Sequence, residues 1–341
     1  MRLCFKNSPT IHLCLEAGKV WLIFILIGFT ACTNEPIPPG SDTLVWGRQG
    51  LDQGRFIKPR AITIDEFDRI YIVDTTSRIQ VFDRDGKFLR SWRTPVCLQG
   101  KPCGLSISHD GLLMVCDTHY FRVLFYTYEG ELVPERGIGG VNGRGPGEFG
   151  FLTDVVQDSR HNYYVSEYGD YDRIQKFSST GEYLTQWGEH GTEPGQFLRP
   201  QSMAIDQQDH LWIADASNHR VQIYDVAGEK PKLLRVWGEQ GSAPGKLSYP
   251  YQIWLDEDGT VFVCEFGNHR VQAFTPDGES LAVWGGAGRD PGQLHQPWAM
   301  CRDSLHAFHI LDSYNHRVQR FMFEPNIDLA PPADSHPPAI N

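Results

Sequence analysis

Methionine is scarce in this 341-residue chain, at 5 positions, and no long run rich in Ala, Glu, Lys and Leu occurs. That argues against a helical bundle. Basic charge is also in short supply. There are 31 Lys and Arg against 42 Asp and Glu, a net charge of −11, and beyond residue 31 the chain holds 28 basic and 41 acidic residues. So acidic a surface is a poor general binder of phosphate backbones, and nucleic acid is not expected as a partner. The most apolar stretch, residues 20–32, has 13 uncharged residues, short of the roughly 20 that span a bilayer as a helix. Gly-x-Ser-x-Gly, the phosphate-binding P-loop and His-Glu-x-x-His are all missing. What abounds is turn-forming and aromatic: 34 Gly, 22 Pro, 19 Phe, 13 Tyr and 9 Trp, with 40% hydrophobic residues overall. This is a turn-rich chain with enough apolar matter for a sizeable core.

Positive charge at Arg2, Lys6 and Lys19 precedes the apolar stretch, and small residues follow it. That order predicts a secretory signal peptide over residues 1–31. Phe29-Thr30-Ala31-Cys32 resembles a bacterial lipobox, with Phe29 where Leu is usual. The resemblance implies cleavage before Cys32 and lipidation of its sulfur. The protein would then be exported and lipid-anchored in a bacterial cell envelope, and Thr33 in place of Asp implies the outer membrane. Residues 32–42 read as a Pro-rich tether and 324–341 as a disordered Pro-rich tail.

Between them the chain repeats. Strands ending in an acid recur at Asp74, Asp117, Glu167, Asp215, Glu265 and Asp312, at intervals of 43, 50, 48, 50 and 47 residues. An arginine opens the next strand each time: Arg78, Arg122, Arg173, Arg220, Arg270 and Arg317. A turn and a further strand follow, the latter closed by Trp at 46, 92, 187, 237 and 284. A Gly-rich loop such as EPGQFLRP then leads into the next unit. Four short strands in such a period make one propeller blade, which buries its two faces only by stacking on neighbours. The expectation is an all-β, six-bladed β-propeller of four-stranded antiparallel blades over residues 43–323. The sixth unit stops after its third strand (317–323), and the first is preceded by an unmatched fourth strand, TLVWG (43–47). Strand 43–47 should therefore complete the last blade and close the ring.

The PGQF-x-x-P loops, the strands ending in Asp, the Asn-His-Arg-Val-Gln segments and the closing Trp-Gly resemble NHL repeats, most closely in the fourth and fifth units. The second unit has KPC in place of the loop motif, and the third has FLT where Pro is expected. The resemblance implies the fold; it names no activity, because propellers host many.

The acid–arginine pairs read as a framework device, each fixing its loop. His219, His269 and His316 share one position in successive blades and should lie too far apart to hold zinc together. Asp65, Asp158, Asp206, Asp256 and Asp303 read as hairpin-turn residues. Cys97 and Cys103 flank the short loop into the second unit, and a disulfide between them is plausible in an oxidising envelope. Cys116, Cys264 and Cys301 read as small core residues.

The loops entering strand one and those joining strands two and three should share one face, the natural binding side. At its centre should stand the residue after each loop's Pro or its equivalent: Arg60, Cys103, Thr153, Gln201, Tyr251 and Trp298. All six differ, as a site grafted onto a repeated scaffold would. Peptidyl-hydroxyglycine amidating lyases, which resemble this chain in fold, are expected to hold zinc through His at such positions. None of the six is His, which disfavours that chemistry, and no metal or cofactor is expected. The reading is a monomeric scaffold that binds an envelope protein, peptide or glycan at the channel mouth. The alternative is an envelope lyase or hydrolase with its site there.

Overall fold

The computed structural model describes residues 43–98 and 100–322. The expected signal peptide (1–31), the expected tether with Cys32, Phe323 and the expected tail 324–341 lie outside the described residues.

Six four-stranded antiparallel sheets form the blades. Blades 1 to 5 are continuous in sequence, at 59–93, 104–139, 151–187, 200–237 and 250–285. Blade 6 combines 300–322 with Leu44–Trp46, which lies outermost beside Arg317–Met322. Inner strands of successive blades touch around the axis, and the first and last touch each other, so the ring closes. Among the described residues the only helical pieces are three-residue 3-10 turns.

Burial follows position in the blade. The second and third strands are the most buried, and Ile70–Asp74 and Arg78–Phe82 are buried at every residue, because a neighbouring blade covers each face. Outer strands such as Phe88–Arg93 and Tyr183–Trp187 alternate half-buried with exposed, the period of a strand covered on one face.

The predicted closure is present. Leu44, Val45 and Trp46 pair with Arg320, Gln319 and Val318. Around this seam Ser304 donates to Asp68 through both its backbone N–H (2.9 Å) and its Oγ (2.6 Å), and Arg320 Nη1 donates to Asp85 (2.8 Å). Trp46 packs on the hairpin of blade 1 so closely that a Cβ at Gly86 would lie 2.5 Å from its ring. Trp92 and Trp237 meet Gly130 and Gly278 of the following blade in the same way.

The acid–arginine pairs are framework, and they reach further than the loop between strands two and three. In blade 5, Arg270 Nε donates to Glu265 (2.6 Å), while its other nitrogens donate to the carbonyls of Ser242 (2.7 Å), Ala243 (3.0 Å) and Lys246 (2.9 Å). Gln272 Nε2 donates to Lys246 O and to Glu265, and its Oε1 accepts from Gly245 N. One buried acid, one arginine and one glutamine thus hold the long loop that leads into their own blade.

Candidate functional site

The six expected mouth residues converge. Arg60, Cys103, Thr153, Gln201, Tyr251 and Trp298 line one small cavity of about 20 Å3 on the axis, with Asp154, Ser202, Gln252 and Ala299 in the layer below. A β-bulge aims four of them. Strand pairing skips residue 60 between Pro59 and Ala61, and likewise Thr153, Gln201 and Tyr251. A bulge turns the extra side chain out of the pleat, here toward the axis. Cys103 and Trp298 precede the shorter inner strands Gly104–Ile107 and Met300–Arg302.

These residues make a packed floor at the expected channel mouth. Thr153 is 1% exposed, Tyr251 6% and Trp298 8%. Tyr251 stacks on Phe266 (4.5 Å) and meets Trp298 edge-on (4.9 Å), and the Arg60 guanidinium lies over the Trp298 ring (5.0 Å). Thr153 Oγ1 donates to Pro200 O (2.6 Å), and Arg60 Nη1 donates to Cys103 Sγ (3.2 Å). Cys97 and Cys103 stand as free thiols. The aromatic surfaces expected to offer contact area are spent on one another, leaving room for about one water below.

What faces outward is a rim that sequence reasoning missed. The residue before each loop proline, Lys58, Arg199, Tyr249 and Gln296, has a left-handed backbone, with φ of 47°, 58°, 48° and 49°. Such strain in a non-glycine residue persists only where neighbours enforce it. Here the preceding blade does. His316 Nδ1 accepts from Lys58 N (3.0 Å), His219 Nδ1 from Tyr249 N (3.0 Å), and His269 Nδ1 from Gln296 N (2.9 Å). Asp172 does the same for Arg199 N (2.8 Å). The three histidines are therefore clasps between blades, each a neutral acceptor at Nδ1. Burial lowers the pKa of all three below 6.5; Asp215 opposes this at His219, His295 adds to it at His269, and Lys58 adds to it at His316.

Three of the four clasps seat a side chain beside an aromatic ring. Lys58 lies over the Tyr314 ring (4.7 Å), and Arg199 lies over both Tyr168 (4.8 Å) and Tyr251 (5.2 Å). Tyr249 meets His219 edge-on (4.6 Å). Around them stand Phe266, Tyr314, Phe151 and His119. Burial, then Lys101 and Arg60, push the pKa of His119 down, a mark of the positive charge gathered here. The predicted shared face is thus cationic and aromatic on a protein that is acidic overall.

Beneath the floor, burial raises the Asp154 carboxyl to about 7, although it accepts from Val155 N (2.9 Å) and Met203 N (2.8 Å). The turn acids behave as expected: Asp65 Oδ1 accepts from Phe67 N and Arg69 N, and Asp303 Oδ1 from Leu305 N and Ala307 N.

Comparison with known proteins adds a family match over one repeat: residues 197–224 match the NHL repeat. NHL repeat-containing protein 3 of Homo sapiens is 31% identical over 167 residues, 45% of this chain and 46% of that protein. Peptidylglycine alpha-amidating monooxygenase of Rattus norvegicus is 31% identical over 189 residues, 53% of this chain and 18% of that one. The chain spans less than half the length of these relatives. Among solved structures, virginiamycin B lyase from Staphylococcus aureus superposes with a TM-score of 0.56 at 14% identity, covering 83% of this chain and all of that one. At that identity the likeness is one of fold.

Proposed function

We propose that this NHL-repeat propeller is a binding scaffold of the cell envelope, exported and held to the membrane through a lipid on Cys32. The rim of its axial face would take a partner that carries carboxylates next to an aromatic or apolar group: an acidic protein segment, peptide or glycan. The observation that supports this is the clasped ring. Four rim residues are kept in a costly backbone conformation by the neighbouring blade, and the side chains they present are Lys, Arg, Tyr and Gln. A scaffold that needed only stability would place glycine there. Arginine and aromatic residues are also the types enriched where binding energy concentrates.

The test is capture from envelope extract by the soluble propeller, followed by affinity measurement with the captured partner. Arg199→Ala and Tyr314→Ala should weaken binding about tenfold or more, the scale of a hot-spot residue, and rising salt should weaken it further. Binding unchanged in both variants would overturn the reading. Cys32→Ser should release the full-length protein from membranes and abolish its labelling by palmitate; retained labelling would refute the anchor.

Asp154 favours a second reading. A carboxyl that titrates near 7 on the propeller axis has the pKa of a general acid or base, and one structurally similar propeller is a lyase. Turnover of an envelope metabolite that is lost in Asp154→Asn, with the rim variants still active, would favour the enzyme.

A further inference from the structure

The joint between blades 4 and 5 opens a groove on the side of the ring away from the clasped loops, at the hairpins that join strands one and two. It encloses about 570 Å3, the size of a small-molecule site. Trp212, Ile223 and Val261 form its buried floor, and Leu234 and Leu255 its walls.

The repeat explains why this joint is open. Between blades 1 and 2, Tyr128 fills the corresponding space, lying 6.2 Å from the Tyr71 ring and beneath the Arg69 guanidinium (4.6 Å). Between blades 3 and 4, Lys176 spans the joint and donates to Val226 O (3.2 Å). Across the seam between blades 6 and 1, Arg320 reaches Arg84 O (3.5 Å) and Asp85 (2.8 Å). At the blade 4–5 joint Ile223 stands where those blades have Lys176 and Arg320, and Pro276 stands where blade 2 has Tyr128. Neither of those bridges is present here; the joint is crossed by Arg235, which donates to Pro276 O (3.2 Å) and Asp277.

The charge at the groove has one sign left over. Arg235 is paired with Asp277, Asp256 with Arg302, and Asp206 accepts from His210 and from Trp212 Nε1 (both 3.0 Å). Glu257 and Asp258, also on the groove, have no ion-pair partner among the described residues.

We propose that this groove is a second binding site, for an organic cation: an apolar body that lies on Trp212, Ile223 and Val261, with an ammonium group held by Glu257 and Asp258.

A matched pair of probes tests this by calorimetry near pH 7.5: 4-phenylbutylamine and 4-phenylbutyrate share the apolar body and differ in charge. The amine should bind and the acid should not. The double variant Glu257→Gln with Asp258→Asn should weaken the amine about fivefold, the scale of two exposed ion pairs. Ile223→Lys should abolish binding, because a lysine there would span the joint and occupy the site with its own cation. Melting temperatures near that of the parent would show both variants folded. Equal affinity for the two probes, no heat from either, or an amine affinity indifferent to the acidic double variant would each overturn the proposal.

Discussion

Blade 5 and blade 2 both carry an acid–arginine pair, Glu265 with Arg270 and Asp117 with Arg122, and use it to different depth. In blade 5, Arg270 joins Glu265 to three carbonyls of the incoming loop, and Gln272 braces both. In blade 2, Arg122 meets Asp117 (3.0 Å), and none of its hydrogen bonds among the described residues reaches a loop carbonyl. Leu124 stands where Gln272 stands, Asp117 Oδ1 has no hydrogen-bond partner among the described residues, and the outer strand shrinks to Ile138–Gly139. The ion pair survives in both blades, and only one of them spends it on architecture. The pair is therefore a socket whose value depends on the loop plugged into it, and the loop into blade 2 is the short, aberrant one.

The contrast can be broken by measurement. Arg270→Ala should cost about 3–5 kcal/mol, since it strands a buried carboxylate and also frees three loop carbonyls, whereas Arg122→Ala, which strands a buried carboxylate but frees no loop carbonyl, should cost less, about 1.5–3 kcal/mol, the worth of a charged hydrogen bond. Equal losses in urea unfolding would show that the loop contacts add nothing. Gln272→Leu, which copies the blade 2 residue into blade 5, should cost about 1–3 kcal/mol by leaving Gly245 N and part of Glu265 unpaired. A neutral outcome would mean that blade 5 does not need the brace.

The histidine clasps sharpen the comparison, since they belong to blades 4, 5 and 6 and blade 2 has Phe121 at that position. Their folded pKa values lie below 6.5, so as pH falls the unfolded chain takes the protons first. Their stabilisation is complete above about 6.5 and is lost as pH falls through the lower folded values. A triple His219→Asn, His269→Asn, His316→Asn variant keeps a residue that tolerates the left-handed backbone and does not titrate. Its melting temperature should fall less steeply than the parent's between pH 7.5 and 5, with each clasp worth about 0.5–1.5 kcal/mol. Parallel slopes would refute the clasp. Smallest in stability is Lys58→Ala, expected within about 0.5 kcal/mol of the parent because the side chain is exposed. Its effect should appear in partner affinity instead.

The repeat, the closing strand and the convergence of the six axial residues were legible because each is written in periodic positions. Burial of Tyr251 and Trp298 was not, since it depends on Phe266 and Arg60 arriving from other blades. The clasps were hidden for the same reason. His219 serves a residue 30 positions on, and His316 one that is 258 positions back. The one available signal was the residue before each loop proline, which varies among Lys, Arg, Tyr and Gln while its surroundings repeat. The blade 4–5 groove left a subtler mark: Ile223 and Pro276 stand at positions where some blades have a long residue, Lys176 and Arg320 at the first and Tyr128 at the second.

The closing strand also sets an order of events. Every other strand pairs with a neighbour close by in the sequence, so five blades can form locally as the chain emerges. Leu44 must wait for Arg320, and closing a loop of about 275 residues costs about 5 kcal/mol of chain entropy on the logarithmic law. That cost is met when Leu44–Trp46 latches onto Arg317–Met322 with the first and last blades already side by side. The ring can therefore be complete only once residue 320 is available, and it is the earliest and the latest residues of the propeller that close it together.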